Sequence, residues 1–288
     1  MRITVASGKG GTGKTTVATS LALSLASNAV GLPPLFLDCD VEAPNAHLFL
    51  KPIFKNRKDV SLLIPNIDES KCTSCGKCAE VCEYHAIAVL GEKVMVFSQL
   101  CHGCGSCTLV CPTKAIYEVP DVMGVLASGS TPSGINFAHG ILNVGEPMAV
   151  PVIQQLKKWG TPQPGQVVIV DAPPGTSCPV VESVRNADFL LLVTEPTPFG
   201  LHDLKLAAQV ANELKIPVGV IINRDGIGNA GVEDFCAAEG LPILMRIPYD
   251  RAIAEGTAQG QTLIEIYPEY ILLFQQLLAN MSRIVDQL

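Results

Sequence analysis

Short runs of apolar residues recur along the chain, and a longer segment of mixed polarity follows each of them. The runs are RITVAS at residues 2–7, LFLD at 35–38, VVIVD at 167–171, FLLLVT at 189–194 and VGVIIN at 218–223. Strands that are apolar on both faces are typical of parallel sheets covered by helices on either side. A helix is predicted over residues 17–26, after the first strand and a glycine-rich loop. The pattern therefore predicts an α/β fold with a doubly wound, mostly parallel sheet.

The interval between residues 38 and 167 is too long for a single crossover connection. We therefore predict a small domain inserted at residues 62–119 into a host formed by residues 1–61 and 120–288. The last segment, 270–288, has apolar residues at helical spacing: Phe274, Leu277, Leu278, Met281, Ile284, Val285 and Leu288. Because its only basic residue is Arg283, we predict an amphipathic helix packed on the host core rather than on a membrane surface.

Composition narrows the class of protein. Hydrophobic residues make up 48% of the 288 residues and charged residues 16%, which predicts a soluble globular protein with a large core. The apolar runs are too short to span a bilayer, and no positively charged leader precedes Ile3. The net charge of -7, with no obvious cluster of Lys and Arg, argues against nucleic acid or anionic lipid as a partner. We therefore expect a cytoplasmic protein with no nucleic-acid or membrane partner.

The first strand leads into GKGGTGKT, residues 8–15, which matches the phosphate-loop pattern G-x-x-x-x-G-K-[ST]. In such a loop, backbone N–H groups wrap the phosphates of a nucleotide, Lys14 reaches the β and γ phosphates, and the Thr15 hydroxyl holds Mg²⁺. A glycine-rich turn before a helix is the alternative interpretation. The residues predicted to bind ATP here are Gly8, Lys9, Gly10, Gly11, Thr12, Gly13, Lys14, Thr15 and Thr16.

The stretch KGGTGKTT, residues 9–16, resembles the deviant phosphate loop of the MinD, ParA and Mrp group of P-loop ATPases, which includes the nitrogenase iron protein. The resemblance implies a nucleotide-dependent homodimer in which Lys9 contacts the nucleotide of the partner subunit. A solvated loop lysine is the alternative for Lys9. The resemblance covers most of the chain outside the inserted segment, and one such fold hosts unrelated functions.

Further motifs of this family follow in order. DCDVEAPN, residues 38–45, resembles its first switch, which implies that Asp38 supports Mg²⁺ and Asp40 orients the attacking water; a helix N-cap is the alternative for either. VDAPPGTS, residues 170–177, is similar to its second switch and places Asp171 near the metal. IINRDG and IPYD, residues 221–226 and 247–250, resemble its adenine-recognising segments, with Asn223 at the base edge or, alternatively, capping a loop.

A cysteine-rich segment occurs twice. CTSCGKCAEVC, residues 72–82, returns as CHGCGSCTLVC at 101–111, each with the spacing C-x₂-C-x₂-C-x₃-C. This spacing is that of bacterial ferredoxins with two [4Fe–4S] clusters, in which the fourth cysteine of each run binds the other cluster. Zinc is the competing interpretation, but it usually joins two C-x₂-C units over a longer gap. The resemblance implies one ligand set of Cys72, Cys75, Cys78 and Cys111, and a second of Cys101, Cys104, Cys107 and Cys82.

Three of the eleven cysteines lie outside the repeat. Cys39 and Cys236 are predicted to be buried thiols. Cys178 follows the second switch, at a position that resembles one ligand of the subunit-bridging cluster of the nitrogenase iron protein. No second cysteine for such a cluster precedes Asp171 in HGILNVGEP, so we expect an ordinary core thiol at 178.

Together these patterns predict an ATP-hydrolysing iron–sulfur protein that uses ATP, Mg²⁺ and two [4Fe–4S] clusters. Its catalytic residues would be Lys14, Asp40 and Lys9, with Thr15, Asp38 and Asp171 at the metal. The leading hypothesis is that nucleotide state is coupled to electron transfer, or to building a metal cofactor, on a redox or metallocofactor client protein. The alternative is an iron–sulfur carrier of the Mrp type. A MinD-like positioning ATPase ranks third, because the chain lacks a basic amphipathic tail and is acidic.

Overall fold

The elements are described for residues 1–27 and 31–287 of a computed structural model. The strands are β1 (Arg2–Ala6), β2 (Leu35–Asp38), β3 (Ile53–Ile67), β4 (Ile87–Leu90), β5 (Lys93–Val96), β6 (Ile116–Ser130), β7 (Asn136–Leu142), β8 (Val168–Asp171), β9 (Phe189–Thr194), β10 (Val218–Asp225) and β11 (Ile243–Pro248). The helices are α1 (Lys14–Ala26), α2 (Ala46–Leu50), α3 (Lys77–Glu80), α4 (Ser106–Val110), α5 (Val150–Trp159), α6 (Cys178–Val184), α7 (Pro198–Glu213), α8 (Gly231–Ala238), α9 (Arg251–Ala258), α10 (Leu263–Ile266) and α11 (Tyr270–Asp286).

One sheet holds nine of these strands in the order β11-β10-β9-β1-β8-β2-β7-β6-β3. All five strands predicted from apolar runs are present, and they form the parallel block β10-β9-β1-β8-β2 at the centre. Within that block Asp38 and Asp171 are direct neighbours, because β2 and β8 pair in register. Parallel strands bring their carboxyl ends to one edge of a sheet, so the loops that follow β1, β2 and β8 meet there.

Helices cover both faces of the sheet. The core on one face packs α1, α10 and α11 against residues such as Ile3, Phe36 and Phe189. On the other face, α5 packs over β2, β6 and β7, and α6, α7 and α8 pack over β9 and β10. The predicted doubly wound α/β architecture is therefore confirmed.

The C-terminal helix packs on the core, as predicted. α11 buries Phe274, Leu277 and Met281 against α1, while Leu278, Ile284 and Val285 are partly buried at the margin of the same core. Leu288 lies outside the described residues. None of the helices in the described part of the chain is both long and apolar enough to cross a membrane.

The sheet has an antiparallel edge that the apolar runs did not predict. β7 continues the parallel block beside β2, but β6 runs antiparallel to β7, and β3 runs antiparallel to β6 as the outermost strand. The first part of β3, residues 53–59, is exposed and mostly polar, so it forms no apolar run. β3 and β6 also run without interruption across residues 61/62 and 119/120, where the division into host and insertion was predicted.

Residues 68–115 lie between these two long strands and contain both cysteine runs. They form α3, α4 and the β4–β5 hairpin around a small apolar cluster that includes Ile87, Cys107 and Ile116. The backbone repeats with the sequence: Gly76 and Gly105 have φ of 82° and 74°, and His85 and Lys114 both have φ of 51°. The two cysteine runs therefore adopt the same local fold.

Candidate functional site

The glycine-rich loop joins β1 to α1 and lies at the carboxyl edge of the sheet. Gly11 and Gly13 have φ of 79° and 90°, a region that side-chain-bearing residues rarely adopt. A Cβ on Gly13 would also stand 2.3 Å from the amide nitrogen of Asn223, and one on Gly8 would stand 2.4 Å from the carbonyl oxygen of Asp203. These contacts explain why glycine is required at both positions.

A cavity of about 310 Å³ opens above this loop. Several residues predicted to bind nucleotide line it: Gly10, Gly11, Gly13, Lys14, Thr15, Thr16, Asp40 and Asn223. On its far side it is lined by residues 247–250, which include the predicted adenine segment, and by Ile253 and Thr257 of α9. Gly8, Lys9 and Thr12 belong to the same loop but do not line the cavity.

Three carboxylates and one lysine meet at the strand ends beside the cavity. Lys14 Nζ lies 3.1 Å from Asp171 Oδ1, and the Thr15 hydroxyl donates to Asp171 Oδ2 at 2.6 Å. Asp38, fully buried, accepts hydrogen bonds from the backbone N–H groups of Asp40 at 3.2 Å and Ala46 at 3.1 Å. Asp38 therefore holds the following loop and the start of α2, while Asp171 holds Lys14 and Thr15.

The charges at this edge do not balance. Burial and the nearby Asp171 raise the pKa of Asp38 well above its ordinary value, and burial also raises the pKa of Asp40. Burial acts to lower the pKa of Lys14, but the Asp171, Asp40 and Asp38 carboxylates outweigh it and raise that pKa. The cluster thus has more carboxylates than cations. Carboxylate and hydroxyl oxygens are the ligands that Mg²⁺ prefers, so the residues present fit that ion beside a phosphate chain.

Lys9 lies in an ion-pair cluster that the sequence did not predict. Its Nζ is 3.3 Å from one carboxylate oxygen of Glu195, and Arg224 Nη1 is 2.6 Å from the other. Glu195 follows β9 and its side chain is only 7% exposed, whereas that of Lys9 is 32% exposed. Arg224 also donates to the Gly11 carbonyl at 3.3 Å. Glu195 therefore secures the phosphate loop from the neighbouring strand.

Asn223 has both ends of its amide engaged by the protein. Its nitrogen donates to the Thr12 carbonyl at 2.7 Å, and its oxygen accepts from the backbone N–H of Arg224 at 2.9 Å. The side chain lines the cavity between the phosphate loop and residues 247–250. Its contact with the loop was not predicted, and its role at a base edge remains a prediction.

Hydrogen bonds connect the loop that carries Asp40 to the strand that leads to the cysteine runs. The backbone N–H of Leu142, at the end of β7, donates to the Val41 carbonyl at 2.8 Å. The next residue, Asn143, donates from its backbone to Met123 at 2.8 Å and from its side chain to Val122 at 2.9 Å, both in β6. β6 begins at Ile116, five positions after Cys111.

The eight repeat cysteines line two separate cavities. One is lined by Cys72, Cys75, Cys78 and Cys111. The other is lined by Cys101, Cys104, Cys107 and Cys82. In each cavity the fourth cysteine comes from the other run, as the ferredoxin spacing implies.

Backbone N–H donors reach some of the cysteine sulfurs, whereas burial raises the pKa of the Cys78, Cys101 and Cys107 thiols. All eight thiols are free of disulfides. The backbone N–H groups of Ala86 and Ala115 each stand 3.3 Å from the sulfur four residues earlier, Cys82 and Cys111, and such donors stabilise a charged sulfur.

Within the described residues, no group of three or more His, Cys, Asp or Glu is arranged around a single metal ion. The preference for clusters over zinc rests on the spacing of the cysteines in the two runs.

The three remaining cysteines differ in how far they are exposed to solvent. Cys39 and Cys236 are buried as predicted, and burial raises the pKa of both thiols, that of Cys236 to about 11. The expectation of a core thiol at Cys178 is wrong: the residue is exposed at the first position of α6, beside the loop that follows Asp171.

A family model described as the CobQ/CobB/MinD/ParA nucleotide binding domain matches residues 3–264. The chain belongs to this family. The match spans the phosphate loop, the strand-end carboxylates and both cysteine runs. Members of the MinD/ParA type are P-loop ATPases, so the resemblance drawn from KGGTGKTT is confirmed at the level of the family.

Relatives and solved structures agree with this assignment. An uncharacterized protein of Methanocaldococcus jannaschii is 32% identical over 274 residues, 92% of each chain. An iron-sulfur cluster carrier protein of Aquifex aeolicus is 26% identical over 93% of this chain and 62% of its own length. The septum site-determining protein MinD of Pyrococcus horikoshii, solved with Mg-ADP, has a TM-score of 0.58 at 20% identity and covers 96% and 94% of the two chains. This last likeness concerns the fold.

Proposed function

We propose that this protein is an ATP-hydrolysing iron–sulfur protein that couples its nucleotide state to two [4Fe–4S] clusters, and through them to electron transfer or metal-cofactor assembly on a client protein. The observation that carries the proposal is the pair of four-cysteine cavities, held by strands that continue into the sheet of the nucleotide site. The predicted division into 1–61, 62–119 and 120–288 is part of this proposal.

At the nucleotide site, the backbone of residues 10–16 would bind the phosphates, and Lys14 would neutralise charge on the β and γ phosphates. Thr15, Asp38 and Asp171 would hold Mg²⁺, which balances the phosphate charge when bound. Asp40, partly buried beside Lys14, would orient the attacking water. The partly exposed Lys9 would leave Glu195 and reach the nucleotide of a second copy in a homodimer.

At the cysteine cavities, bound clusters would accept and release single electrons. The chain's own part is to hold each set of four thiolates and to set solvent access. Cys75 and Cys104 are exposed, and Leu109 beside the second run is 86% exposed. These positions would face a redox partner.

Coupling between the two sites would pass through the contacts of Val41, Leu142 and Asn143. The loop of residues 38–45 lies where the γ phosphate would bind, and such segments reorder when that phosphate is lost. Since Leu142 donates to the Val41 carbonyl and Asn143 binds β6, a shift of this loop would be transmitted to the strand that leads to Cys111.

The carrier alternative is supported by a separate observation. Iron-sulfur cluster carrier proteins of Aquifex aeolicus, Methanocaldococcus jannaschii and Pyrococcus horikoshii are 24 to 26% identical to this chain. A carrier would release its clusters to an apo-protein, whereas a relay would retain them through many turnovers.

The experiment that separates these functions starts from anaerobically purified protein. Cluster reduction is followed by EPR against potential, with no nucleotide, with MgADP and with MgATP. A shift of potential or line shape on adding MgATP supports coupled electron transfer. Clusters that do not respond, but move to an apo-ferredoxin in the presence of MgATP, would support the carrier. No nucleotide effect of either kind would contradict coupling.

A further inference from the structure

The outer edge of the sheet carries a basic groove that the nucleotide and cysteine sites do not use. We define it by Lys55, Arg57 and Lys58 on β3 and by Trp159, Thr161 and Gln163 at the end of α5. It has a volume of about 810 Å³ and is open to solvent. Lys55, Arg57 and Lys58 form a cluster of cations at this edge of the fold, so the expectation that Lys and Arg are not clustered is wrong here.

The cations of this groove are not neutralised by the protein. Among residues 1–27 and 31–287, none of Lys55, Arg57 and Lys58 forms an ion pair. No Asp or Glu of the described chain lines the groove; its other polar groups are hydroxyls and amides. In a protein of net charge -7, three neighbouring cations without carboxylate partners form a local surface of the opposite sign.

The groove lies on the face of the sheet, because residues of β2, β6 and β7 line it together with those of β3. Charged residues on an edge strand can serve merely to prevent pairing with another strand, but that role does not require the adjoining groove lined by Trp159 and Gln163.

We propose that the groove binds an extended acidic segment of a partner protein, which crosses the face of the sheet beside β3 and places carboxylates on Lys55, Arg57 and Lys58. Its apolar side chains would contact Trp159 and Leu35, which line the same groove. Nucleic acid fits less well, because unpaired bases need several aromatic side chains to stack on. Compact phosphate would fill only a small part of a groove of about 810 Å³.

β3 connects the groove to the first cysteine run. Beyond the groove the same strand runs to Ile67, five positions before Cys72. A partner seated on β3 would therefore contact the element that leads to the first cysteine run. Binding at the groove itself does not depend on clusters or on ATP hydrolysis, so the two proposals can fail separately.

Tryptophan fluorescence reports on binding at the groove, because Trp159 lines it and is the single tryptophan of the chain. The test titrates the purified full-length protein with a synthetic peptide of alternating Glu and Val residues and follows tryptophan fluorescence at low and high salt. A peptide with Lys in place of Glu, a poly(dT) oligonucleotide and inorganic phosphate are the comparison probes. We expect saturable binding of the acidic peptide only, weakened about tenfold or more at high salt.

The decisive variant replaces the three cations together, by Lys55→Glu, Arg57→Glu and Lys58→Glu. Its matched control carries the same charge change elsewhere, by Lys205→Glu, Lys215→Glu and Arg283→Glu. The groove variant should lose peptide binding about tenfold or more with ATP turnover unchanged, and the control should bind like the wild type. Equal loss in both variants, tighter binding of the oligonucleotide or of phosphate, or no binding of the acidic peptide would each overturn the proposal.

Discussion

Replacing Lys9 by Ala should remove ATP turnover while leaving the fold and nucleotide binding almost intact. Lys9 Nζ lies 3.3 Å from Glu195, but the other carboxylate oxygen is held by Arg224 at 2.6 Å, so Glu195 stays paired in the variant. An ion pair with a partly exposed lysine contributes about 0.2–1 kcal/mol. The free energy of unfolding of Lys9→Ala should therefore fall by less than about 1 kcal/mol.

Because the ion pair with Glu195 is weak, Lys9 can leave it for the nucleotide of a partner subunit. Leaving Glu195 costs at most about 1 kcal/mol, a factor of about five in equilibrium, which the binding of a second subunit can supply. A cation placed on the transferred phosphoryl group, in contrast, typically contributes about 10³–10⁵ in turnover. We therefore expect Lys9→Ala to lower ATP turnover by about 10³ or more, with nucleotide affinity within about twofold of the wild type.

Mixing two variants tests whether Lys9 acts on the partner subunit. Lys14→Ala removes nucleotide binding from its own site but keeps Lys9, so a mixed dimer with Lys9→Ala would contain one complete site. Turnover of the mixture should exceed that of either variant alone. Lys205→Ala, on α7 with its ammonium over the Phe235 ring, is the matched control for loss of a lysine. Full turnover by Lys9→Ala, or a mixture no more active than its parts, would refute this reasoning.

Three further predictions concern the clusters, the coupling and the metal. Cys82 lines the cavity of the second run, so Cys82→Ser should leave the same surviving EPR signal as Cys104→Ser and a different one from Cys75→Ser. Identical signals from Cys82→Ser and Cys75→Ser would contradict the prediction that the fourth cysteine of each run binds the other cluster. Asn143→Ala loses one hydrogen bond to β6, so its free energy of unfolding should fall by about 1 kcal/mol. The same variant should show a smaller effect of MgATP on the reduction potential of the clusters. An unchanged effect of MgATP would show that Asn143 takes no part in the coupling. In metal-free protein, the raised pKa of Asp38 means that the folded state holds this proton more tightly than the unfolded state, so the contribution of Asp38 to stability should be lost as pH rises above 3.8. Chemical denaturation of the wild type and of Asp38→Asn across pH checks this. The wild type should lose stability relative to Asp38→Asn as pH rises, and a difference between the two that does not change with pH would contradict the charge imbalance.

The central part of the fold was predictable because its signals are local. Each strand of the parallel block is buried on both faces and reads as a continuous apolar run, and the loop at residues 8–15 carries its glycines in a fixed pattern. The cysteine spacing likewise records which sulfurs can reach one cavity. In these segments a few neighbouring residues determine the structure.

The missed elements depend on contacts between distant segments. β3 is polar over its first half because it is an edge strand, and its pairing with β6 joins residues far apart in the chain. Glu195 belongs to no sequence motif, since its role appears only when β1, β9 and β10 bring Lys9, Glu195 and Arg224 together. The exposure of Cys178 depends in the same way on how α6 begins after the second switch.

The presence of two [4Fe–4S] clusters is tested by counting iron and acid-labile sulfide in protein purified without oxygen, with zinc measured in the same sample. Two four-cysteine cavities predict about eight iron and eight sulfide per chain, and an EPR signal of reduced [4Fe–4S] clusters. About four of each in Cys104→Ser would assign half of them to the second cavity. Zinc in place of iron, or no sulfide in the wild type, would contradict the account.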